Sequence, residues 1–218
     1  NDSGGTGGLD STSGNTVFGY LAGTAIASGG TNNAVFGHKA GTAITTGDTN
    51  VAIGSRSLGA EDTGHGSVAV GYDALGLQAS DADEIAANVG IGKDAGYYNV
   101  LGQQNTYVGY KAGQGASGQS NSYNTAVGTN ALLSITDGAS NVAVGALAGD
   151  SLQGGDFNIF IGESAGKTMQ TAHGIVCVGR DALSSAAQTS NYTISIGYAN
   201  MQNLTSGDGN CSVGAFAL

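Results

Sequence analysis

Two stretches of this chain carry three motifs that catalysis and nucleotide binding use. Gly162-Glu163-Ser164-Ala165-Gly166 has the Gly-x-Ser-x-Gly spacing of a nucleophile elbow, where a strained turn lifts a serine hydroxyl toward a histidine and an acid. The same run continues into Lys167-Thr168 and falls one residue short of the loop whose glycine N–H groups and lysine cradle phosphates. Gly90-Ile91-Gly92-Lys93-Asp94-Ala95-Gly96 imitates the glycine spacing of a dinucleotide loop. All three chemistries need a helix directly after the loop. His38, His65 and His173 lack the spacing of metal ligands and are read as surface residues. Asp81, Asp83 and Glu84 share one loop and are the only candidates for holding a cation; a solvated acidic loop is the simpler reading.

A repeat accounts for the glycines of all three motifs. The pattern Asn-x-x-[Val/Ile/Phe]-Gly-x-x-Ala-[Gly/Leu] recurs twelve times, anchored at Gly19, Gly37, Gly54, Gly71, Gly92, Gly109, Gly128, Gly145, Gly162, Gly179, Gly197 and Gly214. Seven of the eleven intervals are 17 residues, and the others are 18, 18, 19 and 21. A fixed period of this size marks a stacked array whose units have no private core. No catalytic residue is assigned, no cofactor or metal is expected, and the chain is read as a non-enzyme.

Composition narrows the class further. Among 218 residues there are 40 glycines and no proline, and 10% are charged, too few for a typical disordered chain. The net charge is -10 and the six cations are scattered, which argues against nucleic acid as a partner. No run approaches the ~18–20 apolar residues that span a bilayer. The chain opens without Met on a Gly/Ser/Asp-rich stretch, residues 1–14, and is read as a piece of a longer protein with one repeat domain over residues 15–218. Cys177 and Cys211 lie two units apart, ~10 Å along a stack of ~4.8 Å rungs. A disulfide needs Cα atoms within ~7 Å, so two free structural thiols are expected.

The unit Asn141-Val142-Ala143-Val144-Gly145 alternates in the period-2 manner of a strand. The residue before each anchor is branched or aromatic in all twelve units. It is expected to form an apolar ladder inside the coil. The small residue before it (Ala52, Ala69, Ala126, Ala143) is then expected on the outer face, with Tyr107 and Phe160 interrupting the row. A second apolar column, Ile26, Ile44, Ile135, Leu152, Met169 and Leu204, suggests two short strands per unit. Asn50, Asn88, Asn141 and Asn158, each four residues before the anchors Gly54, Gly92, Gly145 and Gly162, are read as structural. Opposite charges one unit apart (Arg56 with Asp73, Asp94 with Lys111, Glu163 with Arg180) are expected to pair in register.

The units Asn50-Val-Ala-Ile-Gly54 and Asn141-Val-Ala-Val-Gly145 resemble repeats in the heads of trimeric autotransporter adhesins. Asn105-Thr-Tyr-Val-Gly-Tyr-Lys-Ala112 and Asn124-Thr-Ala-Val-Gly128 are similar to arrays in phage tail-fibre proteins. The likeness covers nearly the whole chain, with a longer period than in the adhesin heads. It implies an all-β parallel β-solenoid, a left-handed β-roll of about twelve coils of 17–21 residues, in a homotrimer. It also implies an extracellular location, on a virion tail fibre or a bacterial surface, and a structural and host-attachment role. The partner would be a cell-surface glycan or protein receptor, and this segment would not insert into a membrane. Two alternatives stand beside the phage tail fibre: an adhesin head and a carbohydrate-degrading tailspike solenoid. The last needs paired carboxylates ~5–9.5 Å apart, and no such pair is recognisable. The insertions over residues 76–87 and 114–123 are expected to project and carry specificity. Tyr20, Tyr72, Tyr110 and Tyr198, each just after an anchor, are further receptor-binding candidates.

Overall fold

The computed structural model describes residues 13–26, 29–80, 85–118, 120–185 and 191–217. Each unit forms one three-residue strand: β1 Thr16–Phe18, β2 Ala34–Phe36, β3 Val51–Ile53, β4 Val68–Val70, β5 Val89–Ile91, β6 Thr106–Val108, β7 Thr125–Val127, β8 Val142–Val144, β9 Ile159–Ile161, β10 Val176–Val178, β11 Ile194–Ile196 and β12 Cys211–Val213. The twelve make one parallel sheet in chain order. The register follows the repeat, with Val142 beside Ile159 and Val144 beside Ile161. The result is an all-β parallel solenoid, and no helix occurs among the described residues.

The second strand expected in each unit does not form. Residues in the left-handed region interrupt it. The second residue after the anchor has φ between 46 and 60° in all twelve coils, whatever its type. The turns still bond from coil to coil: Gly149 N–H donates to Ala165 O at 2.9 Å, and Gly166 N–H to Ala182 O at 2.9 Å. The stack therefore closes its backbone hydrogen bonds along strand and turn alike, as buried backbone requires.

The two faces of the strands are the reverse of the sequence expectation. Ala52, Ala69, Ala126 and Ala143 are fully buried inside the coil, and the branched residues beside them face out. Phe36, Ile53, Ile91, Val144 and Ile161 are each about two-fifths exposed. Tyr107 and Phe160 do not interrupt an outer row, because both lie in the core. A coil this thin holds little, and its interior is shared between facing columns. Where the strand centre is large, the residue six positions on is glycine: Tyr107 with Gly113, Phe160 with Gly166. A Cβ at either glycine would run into the facing ring. At several small strand centres leucine fills the space: Ala52 with Leu58, Ala126 with Leu132, Cys177 with Leu183. At Ala143 with Gly149 the large side chains Leu132 and Phe160 of the adjacent coils crowd the glycine instead. Ile44, Ile135, Leu152 and Met169 complete the core, as expected.

The asparagine column forms a buried ladder. Asn141 Nδ2 donates to Asn124 Oδ1 at 3.0 Å and to Gly155 O at 2.8 Å. Its own Oδ1 accepts from Asn158 N–H and Nδ2 at 3.0 and 2.9 Å. Ser67 interrupts the column, and Gln78 bridges the gap. Gln78 Nε2 donates to Ser67 Oγ at 2.9 Å, and its Oε1 accepts from Asn88 at 3.0 Å. The buried Glu61 carboxylate accepts from Gly64 N–H at 2.8 Å and from Gln78 Nε2, completing this polar insert. Asn141→Ala would strand two donors of Asn158 and the Gly155 carbonyl. A loss of about 3 kcal/mol is expected in chemical denaturation. Among the described residues the Asn210 side chain makes one local bond, from its Nδ2 to Gly207 O at 2.6 Å, so Asn210→Ala is expected to cost about 1 kcal/mol or less.

Both cysteines are free, as expected, but only Cys177 is a core residue; Cys211 is exposed. Burial pushes the Cys177 thiol pKa up, so it stays protonated and unreactive near neutral pH. A thiol-titrating disulfide reagent is expected to modify Cys177 only after denaturation.

Candidate binding surface

After each anchor glycine the chain leaves the sheet and turns a corner, presenting the next residue on the flank of the rod. Tyr20, Tyr72, Tyr110 and Tyr198 are all exposed there, as the repeat positions imply. They stand among other side chains of the same two columns. The Tyr20 ring stacks on His38 with centroids 5.7 Å apart. The Arg56 guanidinium lies 4.6 Å from the Tyr72 centroid. Lys93 Nζ sits between two rings, 5.7 Å from Tyr72 and 5.8 Å from Tyr110. Lys111 Nζ is 5.5 Å from Tyr110. Near the other end Tyr198 lies 5.6 Å from Arg180 and meets Phe216 edge-on at 5.0 Å. Such cation–ring contacts are weak where solvent reaches both partners.

Two of the three expected ion pairs form. Arg56 forks onto Asp73, with Nε to Oδ1 at 2.7 Å and Nη2 to Oδ2 at 2.5 Å. This hydrogen bonding raises the guanidinium pKa further. Arg180 Nε lies 3.6 Å from Glu163 Oε2. Asp94 instead pairs within its own coil with Lys93 at 3.8 Å, and Lys111 turns to Tyr110. Beside this flank lies a cleft of about 250 Å³, lined by Lys39, Thr42, Arg56, Asp73, Leu77 and Tyr97.

The motifs that imitate catalytic sites occupy ordinary repeat positions. Ser164 is the left-handed residue of its turn, with φ 58°, and turns follow it in place of a helix. Gly92 and Gly162 are anchors whose absent Cβ leaves room for the next coil's backbone. His38 is exposed as expected. His65 and His173 are half-buried, and they are structural. Their Nδ1 atoms accept the N–H groups of Asp48 and Asp156 one coil below, at 2.9 and 3.2 Å. The cation candidates Asp81, Asp83 and Glu84 lie outside the described residues. Among the described residues no cluster of three His, Cys, Asp or Glu has the arrangement to hold a metal ion.

The described parts of the insertions project less than the lengths of the insertions suggest. Leu77 and Ala79 donate their N–H groups to Tyr97 O and Val100 O, and Gln78 is core, so residues 76–80 belong to the stack. Ile85 is exposed beyond them. In the second insertion Ala116, Ser117 and Ser120 are exposed, whereas Asn121 is buried and accepts from the Tyr107 hydroxyl. The sequence reading missed a further row. Tyr123, Phe157 and Tyr192 occupy the left-handed corner before alternate strands, and Phe157 and Tyr192 are each 70% exposed. Positive φ is uncommon for bulky residues. The signal was present, since glycine fills that position at Gly14, Gly66, Gly174 and Gly209. Comparison with protein families, with curated proteins and with solved structures found no match.

Proposed function

We propose that this chain is the structural and host-attachment segment of a trimeric extracellular fibre, read as a phage tail fibre. One observation carries the assembly. The outer face of the sheet carries a column of Phe, Ile or Val on all twelve rungs, about 55 Å of rod, and a second Val or Ile beside it on seven of them, with Thr16, Ala34, Thr106, Thr125 and Cys211 on the others. Each coil already closes its own core with the small residues. The outer strip is therefore surplus to folding, and an apolar strip of that length marks an interface. The repeat's likeness to trimeric fibres supplies the copy number, and packing about one axis closes the assembly. The face turned to the axis is then the one bearing Ile53, Ile91, Val144 and Ile161. The flank tyrosines and the exposed parts of the insertions stay free for a receptor.

Light scattering at micromolar concentration is expected to give three times the chain mass of 21.2 kDa. A stable folded monomer would overturn the trimer. The attachment role is tested by binding of the labelled protein to host cells. Deleting residues 116–120 is expected to reduce that binding while the melting temperature stays within a few degrees. Unchanged binding would remove that insertion as a determinant.

A further inference from the structure

Cations are scarce in this chain, and their placement is uneven. Of six Lys and Arg residues, four (Lys39, Arg56, Lys93 and Lys111) fall in the two flank columns between coils two and six. Tyr72 and Tyr110 stand in the same columns, with Lys93 between their rings. Lys39 has no ion-pair partner among the described residues, and it lines the cleft with Arg56 and Tyr97. Asp73 and Asp94 stand in the same columns, so four cations against two acids leave this strip weakly cationic on a chain whose net charge is -10. Rings, ammonium groups and a cleft thus lie along one edge, repeating at the ~4.8 Å rung spacing over about 25 Å.

We propose that the flank from Tyr20 to Lys111 is a track for an anionic polysaccharide laid along the rod. This deepens the attachment reading and rests on it. The chemistry of the strip selects that ligand. Exposed tyrosine rings offer flat apolar faces to the C–H faces of sugars. The ammonium groups between them match anionic substituents recurring along a polymer. The cleft seats one substituted sugar: Lys39 binds the anion, the outer edge of the Arg56 guanidinium assists, and the Tyr97 ring forms a wall. Asp73 holds Arg56 in place through two bonds and leaves Lys39 as the unpaired charge. Lys93 stands three coils beyond Lys39, about 14 Å along the rod at ~4.8 Å per rung, so a polymer stepping at nearly the rung spacing meets it about three sugars on, between the two rings.

The test is binding of the full chain to polygalacturonate, to dextran sulfate and to neutral dextran, measured calorimetrically at low and high salt. Binding to at least one polyanion, none to dextran, and weakening with salt are expected. Attraction by overall charge cannot produce this result, because the protein is acidic. Lys39→Gln combined with Lys93→Gln is expected to weaken binding about tenfold or more, and Arg180→Gln, on the same flank outside the track, to leave it unchanged. Both lysines are exposed, and an unchanged circular dichroism spectrum verifies folding. Failure to bind either polyanion overturns the track, and so does binding that the double variant retains. Host-cell binding is measured in parallel. If the wild type adheres to cells but neither polyanion binds, attachment stands and the track falls. If nothing adheres to cells but the double variant loses polyanion binding, the track stands and the attachment role falls.

Discussion

Ala143→Arg is expected to unfold the rod around its coil, whereas Val144→Arg is expected to leave every coil folded and separate the chains. The two positions are adjacent, yet they face opposite ways. Ala143 is fully buried in the core cluster that also holds Leu132, Leu152 and its register partner Phe160, and nothing there can pair a guanidinium. An arginine cannot neutralise itself, so it would carry a desolvated charge costing several kcal/mol on top of overpacking. A total of about 5 kcal/mol or more is expected. In a one-dimensional stack such a loss breaks the coupling between neighbouring coils, so the melting transition should split or disappear. Val144 is 38% exposed on the outer strip, and its arginine would point away from the core. Circular dichroism of Val144→Arg should match the wild type, while light scattering reports a mass near that of one chain. The reverse outcome, a folded monomer from Ala143→Arg and an unfolded Val144→Arg, would mean that the strand faces have been assigned the wrong way round.

That contrast marks where the sequence was legible and where it was not. The strand positions were readable, because a branched or aromatic residue stands directly before every anchor and in most units alternates with a small one. β8 lies at Val142–Val144 as the pattern requires, and the asparagine ladder follows from the same register. Period-2 alternation defines two faces without saying which is the interior. The usual preference for large residues inside fails in a coil with room for only one strand column plus the leucines and isoleucines that face it. A better signal was the inverse size relation between Tyr107 and Gly113, Phe160 and Gly166, and Ala126 and Leu132. Residues that trade volume must share a space. The flank tyrosines were legible as a column, but the cleft was not. It draws Lys39, Arg56 and Tyr97 from three different coils. The Asp94–Lys111 pair failed for a related reason: Lys93, next to Asp94 in sequence, reaches it first.

Gly145→Val is expected to destabilise by about 3 kcal/mol or more, and the reason separates into two measurable parts. Gly145 has φ 134°, a conformation that side chains rarely adopt. Holding a branched residue there costs about 1–3 kcal/mol. The second part is steric. A Cβ at this position would lie 2.6 Å from the carbonyl carbon and oxygen of Gly162, the anchor of the next coil. The obstacle is backbone fixed by the parallel ladder, so no rotamer change relieves it, and overpacking adds a further ~1–3 kcal/mol. Gly214, the last anchor, isolates the first part. It has nearly the same φ, 138°, but a Cβ there would meet only the Ala217 Cβ at 3.8 Å, an ordinary contact. Gly214→Val is therefore expected to cost only the backbone strain, about 1–3 kcal/mol. Denaturation of the two variants at equal chain concentration decides between strain and contact. Equal losses would mean that φ alone selects glycine at the anchor. A clearly larger loss at Gly145 would mean that the anchor glycine is the spacer that lets one coil lie directly on the next, which is what twelve in-register rungs require.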